Sequence, residues 1–264
     1  MTVHGSAHEE HAEHWAETVA CRVVAAHSFG AFAAVEVVAP AIAAAAAPGQ
    51  FVMVTVPAEG FFLRRPLSLF TVRDDRVGLL VEERGPGSRE LARVAVGETL
   101  EMAGPLGTPF PVEGVTSGLL VGGGIGCAPL QYLADELRRR GALVTAAFGF
   151  RDLRQARAAA AFDIERLWLA TEDGSVGRPG TVVDLLAGVD AAPNTVVYTC
   201  GPLAMVAAVQ RWAHEARLGG YASLEAHMAC GTGSCHGCVV ATTEGYLRVC
   251  SEGPVFALDT VVAP

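Results

Sequence analysis

Gly118-Leu-Leu-Val-Gly-Gly-Gly-Ile-Gly-Cys-Ala-Pro-Leu130 reads as a buried strand running into a glycine turn and then a helix. The helix is expected over 128–140, with Leu130, Leu133 and Leu137 recurring on one face. It closes on Arg138, Arg139 and Arg140, set against the negative end of its dipole, with Gly141 as the left-handed cap. Gly122, Gly123, Gly124 and Gly126 let the chain turn tightly and approach a pyrophosphate at the helix start. The run departs from G-x-G-x-x-G, because Pro129 stands where the third glycine would be. Strands at 143–148, 167–171 and 195–199 follow, with helical stretches between them. Such alternation predicts a parallel, doubly wound α/β sheet, whose ligands sit at the carboxyl ends of the strands. Three glycine-rich or polar segments fall at those ends: 122–127, 171–180 and Cys200-Gly201-Pro202. On this evidence Cys200 is equally readable as a small buried residue, and Cys21 and Cys127 read as structural.

Upstream the pattern changes to short runs rich in valine and phenylalanine, at 18–26, 31–38, 49–56, 67–72, 76–82 and 98–103, mostly separated by Gly, Pro or Asp turns. Regular spacing of this kind predicts an antiparallel barrel. Two stretches within it carry chemistry. In Arg64-Arg65-Pro66-Leu67-Ser68, an arginine at a strand start with a hydroxyl three residues on can hold a diphosphate and a polar chain, Pro66 fixing the approach. Gly85-Pro86-Gly87-Ser88-Arg89-Glu90-Leu91 reads as a turn opening a short helix whose free N–H groups could take a phosphate. Read singly, the first is also a solvated Arg-Arg pair and the second an ordinary turn. Gly104-Pro105-Leu106-Gly107 punctuates the chain, placing a domain boundary between there and Thr116.

Downstream lies Cys230-Gly-Thr-Gly-Ser-Cys235-His-Gly-Cys238, closed by Cys250. Four of the seven cysteines fall here in C-x4-C-x2-C spacing with a fourth from the next strand, the plant-type [2Fe–2S] pattern. Gly231, Gly233, Ser234 and Gly237 are small enough for backbone N–H groups to reach sulfur. The rival is a four-thiolate zinc site, which usually comes as two short C-x2-C-type pairs; here Cys250 stands alone. Unliganded or disulfide-bonded cysteines are the third reading. His236, with four cysteines at hand, is a neighbour rather than a ligand.

The 264 residues allow two domains or a domain plus an appendage, and 51% hydrophobic content allows a sizeable core. A net charge of −9 argues against a nucleic-acid partner. No uncharged apolar window reaches the roughly 18 residues a spanning helix needs, so no membrane is expected. The start lacks a basic segment followed by an apolar run, so no signal peptide is expected. Clustered thiolates then imply a reducing, cytoplasmic compartment. His4, His8, His11 and His14 lie among acidic residues in an N-terminal stretch expected to be a flexible tail.

Taken in order, Arg65-Pro66-Leu67-Ser68, Gly87-Ser88, the run from Gly122 to Leu130 and Cys200-Gly201-Pro202 resemble the ferredoxin–NADP reductase superfamily. The segment Cys230 to Cys250, running into Val249-Cys-Ser-Glu-Gly-Pro-Val-Phe256, narrows the resemblance to the electron-transfer subunits of NAD-linked bacterial dihydroorotate dehydrogenases. It covers about residues 17–264. It implies an antiparallel FAD-binding barrel at 17–113, a doubly wound NAD-binding domain at 114–222, and a small [2Fe–2S] subdomain at 223–264, after a tail at 1–16. It further implies that Arg65, Pro66, Leu67 and Ser68 hold the FAD diphosphate and flank its ring. Leu80, Val81 and Glu82 would run along the flavin, and Gly87 and Ser88 would cap the diphosphate. Gly122, Gly123, Gly124 and Gly126 would cradle NAD, and Cys200 would neighbour the nicotinamide. Cys230, Cys235, Cys238 and Cys250 would hold the cluster. The sequence departs from the family at Cys127, where a hydroxyl or aliphatic residue is usual, and at Gly87-Ser88, usually Gly-Thr.

The resemblance also implies the electron route. An FMN-containing catalytic subunit oxidises dihydroorotate, and electrons pass through [2Fe–2S] and FAD to NAD+, in pyrimidine (UMP) biosynthesis. The expected assembly is a heterotetramer of two plus two. The small FAD/[2Fe–2S] subunits of NADH-dependent ferredoxin:NADP+ transhydrogenases and sulfide dehydrogenases resemble the same residues and form the alternative. A structural zinc protein without catalysis is the reading from another class.

Overall fold

The computed structural model describes residues 17–189 and 191–262, so the histidine-rich stretch lies outside the described residues. The first half comprises β1 (Thr18–Phe29), β2 (Phe32–Val38), α1 (Pro40–Ala45), β3 (Phe51–Val54), β4 (Arg65–Arg73), β5 (Arg76–Glu82), α2 (Pro86–Ala92) and β6 (Thr99–Leu106). Its six strands close an antiparallel barrel in the order β1-β2-β5-β4-β3-β6. Alternation builds it: Val35 and Val37 of β2 point inward while Glu36 between them does not. Strand β3 breaks the alternation because all four residues are buried. Val52 and Val54 fill the barrel, whereas Phe51 and Met53 face outward into a second core.

The second half runs β7 (Ser117–Gly123), α3 (Ala128–Arg139), β8 (Leu143–Phe150), α4 (Leu153–Ala156), β9 (Leu167–Thr171), β10 (Arg178–Pro179), α5 (Val182–Leu186), β11 (Val196–Cys200), α6 (Leu203–Glu215) and β12 (Gly220–Ser223). A hairpin, β13 (Val239–Thr242) with β14 (Gly245–Arg248), and a last short strand, β15 (Val255–Ala257), complete the chain. The sheet order is β10-β9-β8-β7-β11-β12-β15, parallel throughout except that β15 adds antiparallel to β12. Strand order reverses between β7 and β11, the place where doubly wound sheets open a crevice. Helix α3 buries Leu130, Leu133, Ala134 and Leu137 at helical spacing. Pro129 falls in its first turn, where no N–H is needed. Gly141 takes the left-handed conformation (φ +82°) that ends it.

The two halves are tied together. The β1–β2 turn docks on α4 through Ala31 N–H to Arg154 C=O (3.1 Å). Gln155 donates to Glu82 (3.0 Å), and Tyr132 to the Ala46 carbonyl (3.0 Å). Cys250 lies in the turn after β14 rather than in a strand, since Ser251, Glu252 and Gly253 all donate back to the Arg248 carbonyl. Cys238, Val249 and Cys250 share one apolar core with Phe51, Met53 and Ala103 of the barrel and Leu119 and Val121 of the sheet.

Candidate functional site

A cavity of about 220 Å³ opens where the barrel meets the sheet and the segment from Ser223 to Met228 that leads into the thiol loop. Its lining gathers Arg65, Pro66, Leu67 and Ser68 from the start of β4, Leu80, Val81 and Glu82 from the end of β5, Ser88 from α2, and Cys200 from the end of β11. Its lining mixes apolar side chains (Leu67, Leu80, Val81) with polar and charged ones (Arg65, Ser68, Glu82). The volume falls below the roughly 300–1,000 Å³ of whole-ligand pockets, so it suits the ring of a flavin rather than an entire FAD. Arg65 is half-buried; its Nη1 donates to the carbonyls of Leu63 (2.7 Å) and Arg64 (3.4 Å), and its guanidinium lies 6.0 Å from the centre of the Phe61 ring. Gly87 sits against this guanidinium: a Cβ there would come 2.8 Å from Nη2. Ser88 closes the turn before α2, its Oγ accepting from the N–H groups of Arg84 and Gly85, both at 3.0 Å.

The glycine turn stands beside this cavity, and Ile125 and Ala128 line it. Gly124 takes φ +56° with open space around it. Gly126 is pressed on the next turn of the crevice, where a Cβ would lie 2.5 Å from the Cys200 carbonyl oxygen and 2.6 Å from Gly201 Cα. Gly123 abuts Pro202 and Met205, while Gly122 at the end of β7 packs on Cys127, consistent with a structural Cys127. The segments 122–126 and 200–202 therefore pack backbone against backbone at the carboxyl ends of β7 and β11. Cys200 is buried, and burial followed by the nearby Glu225 charge pushes its thiol well above the ordinary value. It lines the cavity as a neutral thiol.

In the thiol loop, Gly231 and Gly233 adopt φ +73° and +81°, and His236 φ +56°. Five N–H groups aim at sulfur. Thr232 and Cys235 donate to Cys230 (both 3.4 Å), Gly237 to Cys235 (3.4 Å), Gly233 to Cys250 (3.1 Å) and Cys250 to Cys238 (3.4 Å). The thiols thus come as two neighbouring pairs, Cys230 with Cys235 and Cys238 with Cys250. All seven cysteines are free of disulfides. Among the described residues no three His, Cys, Asp or Glu side chains converge on one metal position. Two such pairs match a centre of two irons taking two thiolates each. Burial works against ionisation of Cys230, but the N–H donors of Thr232 and Cys235 outweigh it and bring the thiol down to about 6. Cys250 is pushed up to about 12, first by burial and then by its contact with Cys238. Cys235, His236 and Gly237 are exposed, whereas Cys238 and Cys250 are buried. Gly231 presses the loop on the barrel: a Cβ there would meet Met53 Cγ at 2.5 Å.

Sequence reasoning missed several lining residues: Phe51, Arg84, Ile125, Ser223, Leu224, Glu225 and Pro254. Glu225 stands in the wall between the cavity and a second pocket of about 540 Å³, bounded by Gly201, Pro202, Leu203 and β13. Its carboxyl is raised by burial first, with Arg84, 4.0 Å away, opposing and Glu82 adding.

A family model described as the iron–sulfur cluster binding domain of dihydroorotate dehydrogenase B matches residues 225–262. Curated relatives named dihydroorotate dehydrogenase B (NAD(+)), electron transfer subunit, include those of Shouchella clausii (38% identical over 81% of this chain and 86% of that protein) and Bacillus caldolyticus (39%, 81% and 86%). The Listeria monocytogenes protein of that name is 35% identical over 81% of this chain and 87% of its own length. Among solved structures, an NADH-dependent reduced ferredoxin–NADP oxidoreductase superposes with a TM-score of 0.81 at 26% identity, covering 94% of this chain and 91% of that one. Phthalate dioxygenase reductase shares the fold (TM-score 0.61, 17% identity, 91% and 95% covered). Thiol loop, crevice and relatives agree: the chain belongs to the family of electron transfer subunits of NAD(+)-dependent dihydroorotate dehydrogenase B.

Proposed function

We propose that this chain accepts electrons from an FMN-containing catalytic partner that oxidises dihydroorotate and delivers them, by way of [2Fe–2S] and FAD, to NAD+. The observation that carries the reading is the shared core. Cys238 and Cys250, two of the four cysteines that would hold the cluster, share one apolar core with Phe51, which also lines the flavin cavity, and Met228, packed against that core, lines the cavity as well. When bound, the flavin would supply exchange between hydride transfer to a nicotinamide and single-electron transfer to the cluster.

The residues divide the work. Arg65 holds negative charge at the barrel rim, and Gly87 leaves it room. Leu67, Leu80 and Val81 give the ring an apolar bed, with Pro66 setting the strand entry and Ser68 and Glu82 supplying polar edges. Gly87 and Ser88 complete the diphosphate side. Gly122, Gly123, Gly124 and Gly126 let the nucleotide backbone approach, and Cys200 closes the wall on the nicotinamide side. Cys230, Cys235, Cys238 and Cys250 hold the cluster, and the exposed Cys235 edge faces the partner. On this reading the barrel occupies 17–113, the nucleotide domain 114–222 and the cluster subdomain 223–264, in a two-plus-two assembly.

Among the described residues no helix is long and apolar enough to cross a membrane. The structural likeness to the ferredoxin–NADP oxidoreductase favours a second reading, a reductase subunit for an iron–sulfur-rich partner. Purification with native partners tests the choice: an FMN-containing dihydroorotate-oxidising subunit supports the first reading and an iron–sulfur-rich one the second. A flavin and [2Fe–2S] spectrum with two irons per chain supports both; a colourless zinc protein refutes both.

A further inference from the structure

The turn carrying Cys250 is closed by a charge pair that the electron route leaves unused. Arg248 ends β14, and its Nε lies 2.9 and 3.1 Å from the two carboxylate oxygens of Glu252, with Nη2 on the same carboxylate. The Arg248 backbone N–H also donates to Glu252 (2.7 Å), and Ser251 Oγ adds a further bond (3.0 Å). The guanidinium's remaining arm, Nη1, donates to the Gly233 carbonyl (2.9 Å). Gly233 in turn gives its N–H to Cys250 Sγ. Its left-handed backbone leaves no space for a side chain, since a Cβ would stand 3.0 Å from Ser251 Oγ and 3.3 Å from Arg248 Nη1. One residue of the loop is therefore gripped from both sides, by Arg248 and by the cysteine sulfur. Both side chains are about two-thirds buried (32% and 31% exposed), so their charges are only partly screened.

We propose that Arg248 and Glu252 are a positioning pair that seats the thiol loop and balances charge beside the cluster, so that neither member alone can be removed without moving the cluster's reduction potential. A cluster that takes up an electron becomes more negative. A neighbouring cation favours that form and a neighbouring anion opposes it. Removing Arg248 leaves the Glu252 anion uncompensated; removing Glu252 leaves the cation. The two deletions act in opposite directions, which mere loosening of a loop would not produce.

The proposal rests on the cluster reading, and its test separates the two. The full chain, carrying FAD and cluster as purified, is titrated electrochemically with EPR detection of the reduced cluster. R248Q is expected to lower the reduced-to-oxidised ratio at a fixed potential about tenfold, equivalent to about 59 mV for one electron. E252Q is expected to raise the ratio, and the double variant to return within about threefold of wild type. Shifts in one direction for both single variants, or unchanged potentials with full cluster content, overturn the proposal. Should R248Q not retain its cluster, R248K keeps the charge and supplies the reading: a near-wild-type potential supports the pair, and a tenfold drop overturns it. A wild-type chain without iron and without the EPR signal overturns the cluster reading itself, and the proposal with it.

Discussion

Gly126→Ala is the substitution whose consequence the structure states most directly. The new methyl would stand 2.5 Å from the Cys200 carbonyl oxygen and 2.6 Å from both Cys200 C and Gly201 Cα, all backbone atoms of a buried turn. Ordinary contact begins near 3.4 Å, so the turns at 122–126 and 200–202 must part by about 0.9 Å (3.4 − 2.5). Overpacking of this kind costs roughly 1–3 kcal/mol of stability. The larger effect falls on function, because a displacement of about 1 Å at a reacting geometry can cost about 10²-fold in rate. We expect NADH-dependent reduction of an artificial dye, normalised to bound FAD because Ile125, Ala128 and Cys200 also line the flavin cavity, to fall about 100-fold while the EPR signal stays at the wild-type level, since the thiol loop lies on another element. Stopped-flow reduction of the bound flavin by NADH is the assay. Gly219→Ala, with nothing within 4 Å of its Cβ position, serves as the neutral control. A G126A protein with wild-type melting temperature and wild-type flavin reduction would refute the reasoning.

Three further outcomes are expected. Arg65→Ala removes a half-buried charge-assisted partner worth roughly 1.5–3 kcal/mol, so FAD affinity should fall about 10- to 100-fold; full FAD retention through dialysis counts against the assignment. Gly231→Ala drives a methyl onto Met53 from a left-handed backbone (φ +73°), and should lower iron content per chain while the flavin remains; normal iron analysis contradicts it. Glu136 is held down to about 2, first by its hydrogen bond from Arg139 and also by Arg140. A lowered folded-state pKa stabilises above the ordinary value of 4.5 and is lost as pH falls toward 2. With Arg139 69% exposed and the pair therefore screened, Glu136→Gln should cost about 0.5–1 kcal/mol at pH 7. That gap should close in denaturant melts below about pH 3; a gap constant with pH refutes it.

Much of this was legible in the sequence because it is local. The strands Arg76–Glu82 and Leu167–Thr171 fall where valine, leucine and turn residues put them, and α3 starts at Ala128 and stops before Gly141 as its leucine spacing and cap require. The barrel and the doubly wound sheet followed from the change in periodicity near residue 110. Other features depended on distant partners. Strand β15 is three residues long and has no period of its own; it becomes a strand only because β12 offers a free edge. The six residues of α1 are mostly alanine, which reads as composition. Cys250 was expected in a strand but lies in a turn that the Arg248–Glu252 pair closes, a pairing with no helical or strand signature. Phe51 from β3 and Ser223 to Glu225 from the end of β12 reach the cavity from two distant segments, so no motif announces them. The four cysteines stood out because C-x4-C-x2-C spacing is specific over a short stretch, whereas Arg65 drew its reading only from the order of the motifs around it.

On the proposed reading this chain bridges a dihydroorotate-oxidising partner to NAD+ through a cluster held by its own thiols. The direct test reconstitutes it with the FMN-containing catalytic subunit and follows NAD+ reduction on adding dihydroorotate, for wild type and for a Cys235→Ser chain lacking the EPR signal. Coupled turnover is expected for wild type, with loss of that turnover in C235S and retention of most NADH-dependent dye reduction by both. Full coupled turnover in the cluster-free variant would contradict it.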